Sequence, residues 1–420
     1  MLSIRYVLAL LVCCYCFQIN AQDVIKEIHF VGLKKTKPYY LERFIEIEVG
    51  SIFDSILVLE DIQSLRNLRF FDDVSYSTKD TAEGIIVNFH IKEVLTLLPI
   101  VNFGGIKGNF WFQLGAVDFN FQGQGNTVGG FYRYYERHSY QVFLKVPNIL
   151  GSHWGYSLNL AKLSTIEPLY FQDSITYYDY DNLIAELMGR YEFVYGNYLE
   201  YAGAYLYEQY KKSIGRNELN TPGPDQAEKN KFLFKTSHTI DQLKYFFHFL
   251  SGYSNRLLLE AIMTRGDGDF FLKLSDELKL FLKLKSKGNL ALRLRLGSST
   301  NNESPFAPFI LDSYVNIRGS GNKVTRGTAE LALNTEYRHT LLGKRWGAIQ
   351  GVIFTDIGSW RPAGGQIEEM FTDENSKLFS GLGLRLYLRP FYNLTLRFDY
   401  GINIKDFNET GVVFGLGQYF

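Results

Sequence analysis

Two periodicities divide the chain. Over residues 22–95 apolar positions recur at helical spacing between short strands. From residue 96 onward they alternate with polar ones. In the first part Val24, Ile25, Ile28, Phe30 and Val31 mark a strand closed by Gly32. Pro38 suits a helix start, where a missing N–H costs little, and Tyr40, Leu41, Phe44 and Ile45 follow at helical spacing up to Gly50. Asp54 is placed to cap a second helix, with a stripe of Leu57, Leu59, Ile62, Leu65 and Leu68. Residues 74–79 and 85–94 read as strands joined around Glu83-Gly84. The order is β-α-α-β-β.

Beyond residue 96 the period is two. Phe270, Leu272, Leu274, Leu278, Leu280, Leu282 and Leu284 alternate with Lys273, Ser275, Glu277, Lys279 and Lys283. Residues 289–297, 381–389 and 393–401 repeat the pattern, with Arg293, Arg295, Arg385, Arg397 and Asp399 on the polar side. Strands of soluble sandwiches average about five or six residues. These runs are longer, and match the roughly 9–11 residues of a tilted membrane-crossing strand. One face is aliphatic, as lipid demands, and the other is charged, as a wet lumen allows. The chain is therefore expected to be mainly β: a sixteen-stranded antiparallel transmembrane β-barrel over residues 96–420, preceded by the small α+β domain of residues 22–95. Tight turns are expected at 196–197, 251–255, 285–289, 341–344 and 390–392. Long loops are expected at 164–181, 211–230, 298–326 and 359–377, and the last strand at 409–420.

Composition narrows the function. The 420 residues carry 44 basic and 44 acidic side chains, and this balance argues against a nucleic-acid binder. Residues 1–21 read as a secretory signal peptide: Arg5, an apolar run over 6–17, then Ala21. Cys13, Cys14 and Cys16 all fall inside it, so the mature chain has no disulfide framework, cysteine zinc site or cysteine nucleophile. None of the seven histidines lies in a metalloprotease array or beside a nucleophile elbow. The chain reads as no enzyme, with no cofactor and no metal.

The β-α-α-β-β order, the strand into Gly32, and the segment Leu65-Arg66-Asn67-Leu68-Arg69-Phe70-Phe71-Asp72-Asp73-Val74 resemble a POTRA domain. In the barrel half, Ile317-Arg318-Gly319 sits on the loop between the eleventh and twelfth expected strands. Glu336 lies on the twelfth, and Phe354-Thr355-Asp356-Ile357-Gly358 on the thirteenth. Together these resemble the BamA/TamA superfamily of outer-membrane assembly and translocation proteins. The resemblance implies that the loop folds into the lumen and that Arg318 pairs with Asp356, with Glu336 as second acceptor. The tip departs from the family pattern: Ile317 stands for Val, and Ser320 for the aromatic. Phe414, Leu416 and Phe420 resemble an outer-membrane sorting signal. Pro99 on the first strand, with Gly415 and Gly417 on the last, marks an expected weak seam, with Ile100 facing Leu416.

The resemblance implies an outer-membrane barrel that inserts or translocates polypeptides without energy or cofactor, its POTRA-like domain in the periplasm. The implied partners are membrane lipid and client polypeptides, captured on the edge of residues 74–79 around Ser77. A passive diffusion pore is the alternative from another class, and a barrel lipase or protease a third.

Overall fold

A computed structural model describes residues 24–420 apart from 107–108, 150–151, 172–173, 219, 267–268, 303–306, 312, 314, 322–324 and 392–393. The expected leader lies outside the described residues. The chain forms two compact units, Met1–Glu93 and Val94–Phe420.

The first unit is a three-stranded sheet carrying short helices. Strand β1 is Ile25–Val31, β2 is Phe71–Thr81 and β3 is Gly84–Glu93, in the order β1-β3-β2. β3 runs parallel to β1 and antiparallel to β2. The first helix, α1, is only Pro38–Leu41 followed by a 3-10 turn, and ends well short of Gly50. Helix α2 is Ser55–Asn67, capped by the Asp54 carboxylate on the Ile56 N–H at 2.8 Å. Of the expected stripe Ile62, Leu65 and Leu68 are buried, but Leu59 is exposed, and Val58 and Asp61 complete the buried face instead. The reason is Asp61. A carboxylate in the stripe breaks the apolar pattern, but here it accepts the backbone N–H groups of Glu46 (2.7 Å) and Ile47 (3.3 Å).

The second unit is a closed antiparallel barrel of sixteen strands. In chain order the first eight are β4 Leu97–Ile106, β5 Asn109–Phe121, β6 Asn126–Tyr135, β7 Arg137–Val146, β8 Trp154–Phe171, β9 Ser174–Val194, β10 Asn197–Lys212 and β11 Gln226–Asp241. The others are β12 Phe249–Arg265, β13 Phe270–Leu284, β14 Gly288–Ser299, β15 Ala329–Lys344, β16 Gly347–Arg361, β17 Ser376–Leu388, β18 Leu394–Asn403 and β19 Thr410–Leu416. A short segment, Lys244–Phe246, resumes β11 after a break. The outer wall is the lipid face: Phe270, Leu274, Leu278, Leu282, Leu382 and Leu384 are all exposed on it.

Several boundaries differ from the sequence reading. The stretch 164–181 is no loop: β8 and β9 run on as a hairpin to the Phe171–Ser174 pair, its Thr, Ile and Tyr residues being strand formers. Leu169, Tyr178 and Tyr210 pack together there. The turn placed at 251–255 lies at Phe247-His248, and the one at 341–344 at Arg345-Trp346. Gly252 misled because it marks a bulge opposite Gln242 rather than a turn. The last strand ends at Leu416, not at residue 420.

Closure between β4 and β19 is brief. Among the described residues only Val412–Gly105, Val413–Gly104 and Phe414–Phe103 pair across it, whereas β8 and β9 pair along the whole of Trp154–Phe171.

Candidate functional site: the luminal knot

Strand parity decides which side chains meet inside the barrel. Along β15 the buried positions include Glu330, Asn334, Glu336 and Arg338; along β16, Phe354, Asp356 and Gly358; along β17 and β18, Arg385, Arg397 and Asp399. The segment after β14 enters this space through a two-stranded ribbon, Phe309–Leu311 with Thr325–Gly327, and carries Arg318 at its tip.

Arg318 is fully buried. Its Nε and Nη2 donate to Asp356 Oδ2 and Oδ1, both at 2.8 Å, and its own backbone N–H donates to Asp356 Oδ2 at 2.9 Å. Nη1 donates to Glu336 Oε2 at 2.5 Å. Arg338 also donates to Glu336, and Arg385 Nη1 donates to Asp399 Oδ1 at 2.7 Å. Three guanidinium groups and three carboxylates thus neutralise one another with none of the six side chains exposed. A planar guanidinium fork is the group that can serve two carboxylates at once.

The tip is also seated by shape. Gly319 has φ +90°, and a Cβ there would lie 2.8 Å from the Gly401 carbonyl oxygen. Loop backbone therefore lies directly on the backbone of β18, an approach that only glycine permits. Ile317 is fully buried with Leu311, Trp360 and Phe379, and a Cβ on Gly358 would strike it. Asn316 fixes the approach, its Nδ2 donating to Ile310 O at 2.6 Å while its own carbonyl accepts Asn334 Nδ2 at 2.6 Å.

Ser320 closes the turn through Oγ on the Ile317 carbonyl at 2.9 Å. It offers no ring to Arg318, but two other residues do. The guanidinium lies 3.7 Å from the Phe354 ring centre and 4.7 Å from that of Tyr419. Tyr419 arrives from the end of the last strand. Gly417, at φ +88°, turns residues 417–420 off the wall and into the lumen. There the Tyr419 hydroxyl donates to Ser313 O at 3.1 Å, and Arg397 Nη1 donates to Gln418 O at 2.6 Å. Phe420 lies against Phe281, with Arg293 over its ring at 5.2 Å. This corrects the sorting-signal reading in one respect: Phe414 and Leu416 stay on β19, while Phe420 leaves that face.

The seam residues also fall into place. The ladder between β4 and β19 stops at Phe103–Phe414, so Ile100 does not face Leu416. The Leu416 N–H goes instead to Asn102 Oδ1 at 3.1 Å. Gly415 leaves room for Asn102 and Arg397. β4 itself is not short. What is short is its contact with β19, and Pro99 lies in the stretch of β4 that has no ladder partner there, where a missing donor costs nothing. Sequence reasoning missed Arg385, Asp399, Arg397 and Tyr419 as members of the knot. The visible signals were their inward parity and Gln418, which breaks the alternation of the last strand.

In comparison with known proteins, the POTRA model, described as surface antigen variable number repeat, matches residues 24–94. Residues 24–94 are therefore a POTRA domain, followed by a closed sixteen-stranded barrel with a loop knotted inside. As a fold, this arrangement is similar to solved structures of BamA and CdiB. Among solved structures, BamA from Haemophilus ducreyi lacking POTRA domains 1–3 is similar at 14% identity and TM-score 0.56, over 94% of this chain and 84% of that one. CdiB from Acinetobacter baumannii is similar at 12% identity and TM-score 0.58, over 94% and 73%. CdiB from Escherichia coli is similar at 11% and 0.59, over 94% and 76%. No curated protein matches the sequence. At these identities what is shared with these structures is the fold.

Proposed function

We propose that this chain is an outer-membrane barrel that inserts or translocates polypeptides, with its POTRA domain on the periplasmic side receiving the client and no cofactor or nucleotide taking part. The observation that carries this reading is the pairing of a POTRA domain with a barrel whose lumen is filled by an ion-paired loop and whose closure rests on three residue pairs. A barrel built only for diffusion needs neither.

The client first meets an edge. β3 is the central strand of the POTRA sheet, so β2 presents one side of its backbone to solvent. An extended chain can complete that edge by adding a strand. Arg66 Nη2 already donates to the Val74 carbonyl at 2.8 Å, which fixes the outward-facing backbone groups as those of Val74, Tyr76, Thr78 and Asp80. Ser77 therefore points its backbone toward β3, and the docking donors are its neighbours.

The deciding experiment is depletion in the native bacterium, with the outer-membrane and secreted proteins then quantified. General loss of barrels assigns insertion, and loss of one secreted product assigns dedicated transport. Unchanged levels of both, together with a large steady conductance of the purified protein, would assign the pore.

A further inference from the structure

The short-turn end of the barrel carries a device that polypeptide handling does not by itself explain. The β11–β12 connection is Phe247-His248, yet these residues touch strands four and five places along the wall. The His248 carbonyl accepts Gln350 Nε2 on β16 at 3.4 Å. The His248 and Phe247 rings lie 5.7 and 6.2 Å from the ring of Tyr387 on β17. The Arg389 guanidinium sits over Phe247 at 4.2 Å. Three strands, β13 to β15, separate β12 from β16. Neighbouring strands are about 4.8 Å apart, so the wall path from β12 to β16 is roughly 19 Å. Direct contact is possible only if the hairpin bends inward and crosses the mouth of the lumen.

The bend has a local cause. β11 breaks at Gln242-Leu243, and opposite the break Gly252 takes φ +107°, where a Cβ would strike the Gln242 carbonyl. Beyond this bulge the short pairing Lys244–Phe246 with Phe249–Ser251 forms a separate ladder. Phe249 is buried, and Asn289 on β14 holds the adjoining Leu250 through both its N–H (3.0 Å) and its carbonyl (2.9 Å). Phe247 at the tip has φ +57°, a strained conformation for an aromatic residue.

We infer that the hairpin of residues 244–251 is a gate across the short-turn mouth, hinged at the Gly252 bulge and latched on Tyr387 and Gln350. The hinge side is firm and the latch side is weak. One long hydrogen bond and ring contacts hold the tip, and neither ring nitrogen of His248 has a partner among the described residues. Releasing such a latch costs far less than breaking the ion pairs above it. Tyr387 joins the latch to the knot: its hydroxyl donates to Gln350 Oε1 at 2.9 Å and also meets the Gln418 side chain of the inward tail. Movement of the tail is therefore transmitted to the latch through one phenol.

The test uses the full chain in planar bilayers, with heat-modifiable gel mobility confirming that each variant is folded. In F247C/Y387C, dibromobimane is expected to bridge the thiols and become fluorescent, and the bridged protein to stay at its lowest conductance level. Single Y387C separates the loss of the phenol from the effect of the bridge. A second variant replaces Phe247-His248 by Asn-Gly, which closes the hairpin tightly with no rings to latch, and is expected to raise mean conductance at least threefold. Accessible thiols that give no bimane bridge would overturn the gate. So would bridged and Asn-Gly proteins that conduct like the parent.

Discussion

Arg318 gives Asp356 three hydrogen bonds, two from the guanidinium and one from its own backbone N–H, all between 2.8 and 2.9 Å. One carboxylate thus fixes both the side chain and the main chain of the loop tip. Removing either partner leaves a buried charge uncompensated, at a typical cost of about 3–5 kcal/mol. Arg318→Ala is expected to free the loop, seen as new protease cleavage within residues 300–328 of the folded barrel. Arg318→Lys should restore only part of the protection, because an ammonium cannot serve Asp356 and Glu336 through one planar fork. Protection equal to the parent in Arg318→Ala would show that the glycine seat alone holds the tip.

This pair was legible in the sequence because the family resemblance implied an inward loop and parity, which is countable, put its acceptors on the inner face. Glu336, Asp356 and Arg385 lie inside a barrel by their spacing alone, and an arginine on an inward loop needs carboxylates. The tail was not legible in the same way. Its direction depends on one torsion, at Gly417, and a strand pattern says nothing of where a glycine turns the chain. The β11–β12 turn failed for a related reason: Gly252 signals a bulge and a turn equally well until its partner strand is known. In the POTRA domain Asp61 hid the N-terminal half of the helix's buried face, since a buried carboxylate satisfied by two backbone N–H groups looks polar in sequence. Barrel class and strand number survive such local errors because alternation is summed over many residues.

Edge capture has a position-specific test. With Val74 facing outward, Thr78 donates outward as well, and proline there removes one docking donor without touching the pairing to β3. Thr78→Pro is expected to reduce cross-linking of clients to the β2 edge in cells by several-fold while the barrel remains folded. Ser77→Pro should instead break the β2–β3 ladder and loosen the domain. Equal client capture by Thr78→Pro and the parent would remove strand addition from the mechanism.

Glu93 makes the POTRA domain sensitive to acid. Its carboxylate accepts the backbone N–H groups of Lys34 (3.1 Å), Lys35 (2.9 Å) and Thr36 (2.8 Å). Burial works to raise its pKa, but the Thr36 hydroxyl and these three N–H groups outweigh it and hold the carboxyl below its ordinary value of 4.5. Because the folded pKa is the lower one, the stabilisation is present above that ordinary value and fades as pH falls through the folded pKa. Hydrogen exchange of the 34–36 amides in the full chain, corrected for intrinsic rates, should show protection lost below about pH 4.5. Glu93→Gln should lower that protection by about 1–2 kcal/mol at neutral pH and abolish its pH dependence. Protection that stays flat with pH in the parent would contradict this assignment.

The seam offers the sharpest test of how a client reaches the membrane. Phe103 and Phe414 are direct ladder partners with stacked rings 4.5 Å apart, and they form the last pair before the ladder stops. Each backbone hydrogen bond contributes roughly 0.5–1.5 kcal/mol net, so a closure of three residue pairs is held far more weakly than the long ladders elsewhere. Directly opposed Cβ atoms lie about 4.5–5.5 Å apart, within reach of a disulfide after small adjustment. Residues 24–420 contain no cysteine, so F103C/F414C introduces the only thiols of that segment. Oxidised, this variant is expected to lose the activity that depletion reveals and to regain it on reduction, while either single cysteine variant works throughout. If the barrel opens at this seam, the lock must stop it. Full activity in the oxidised protein would mean that the client passes through the lumen or along the surface, with β4 and β19 remaining joined.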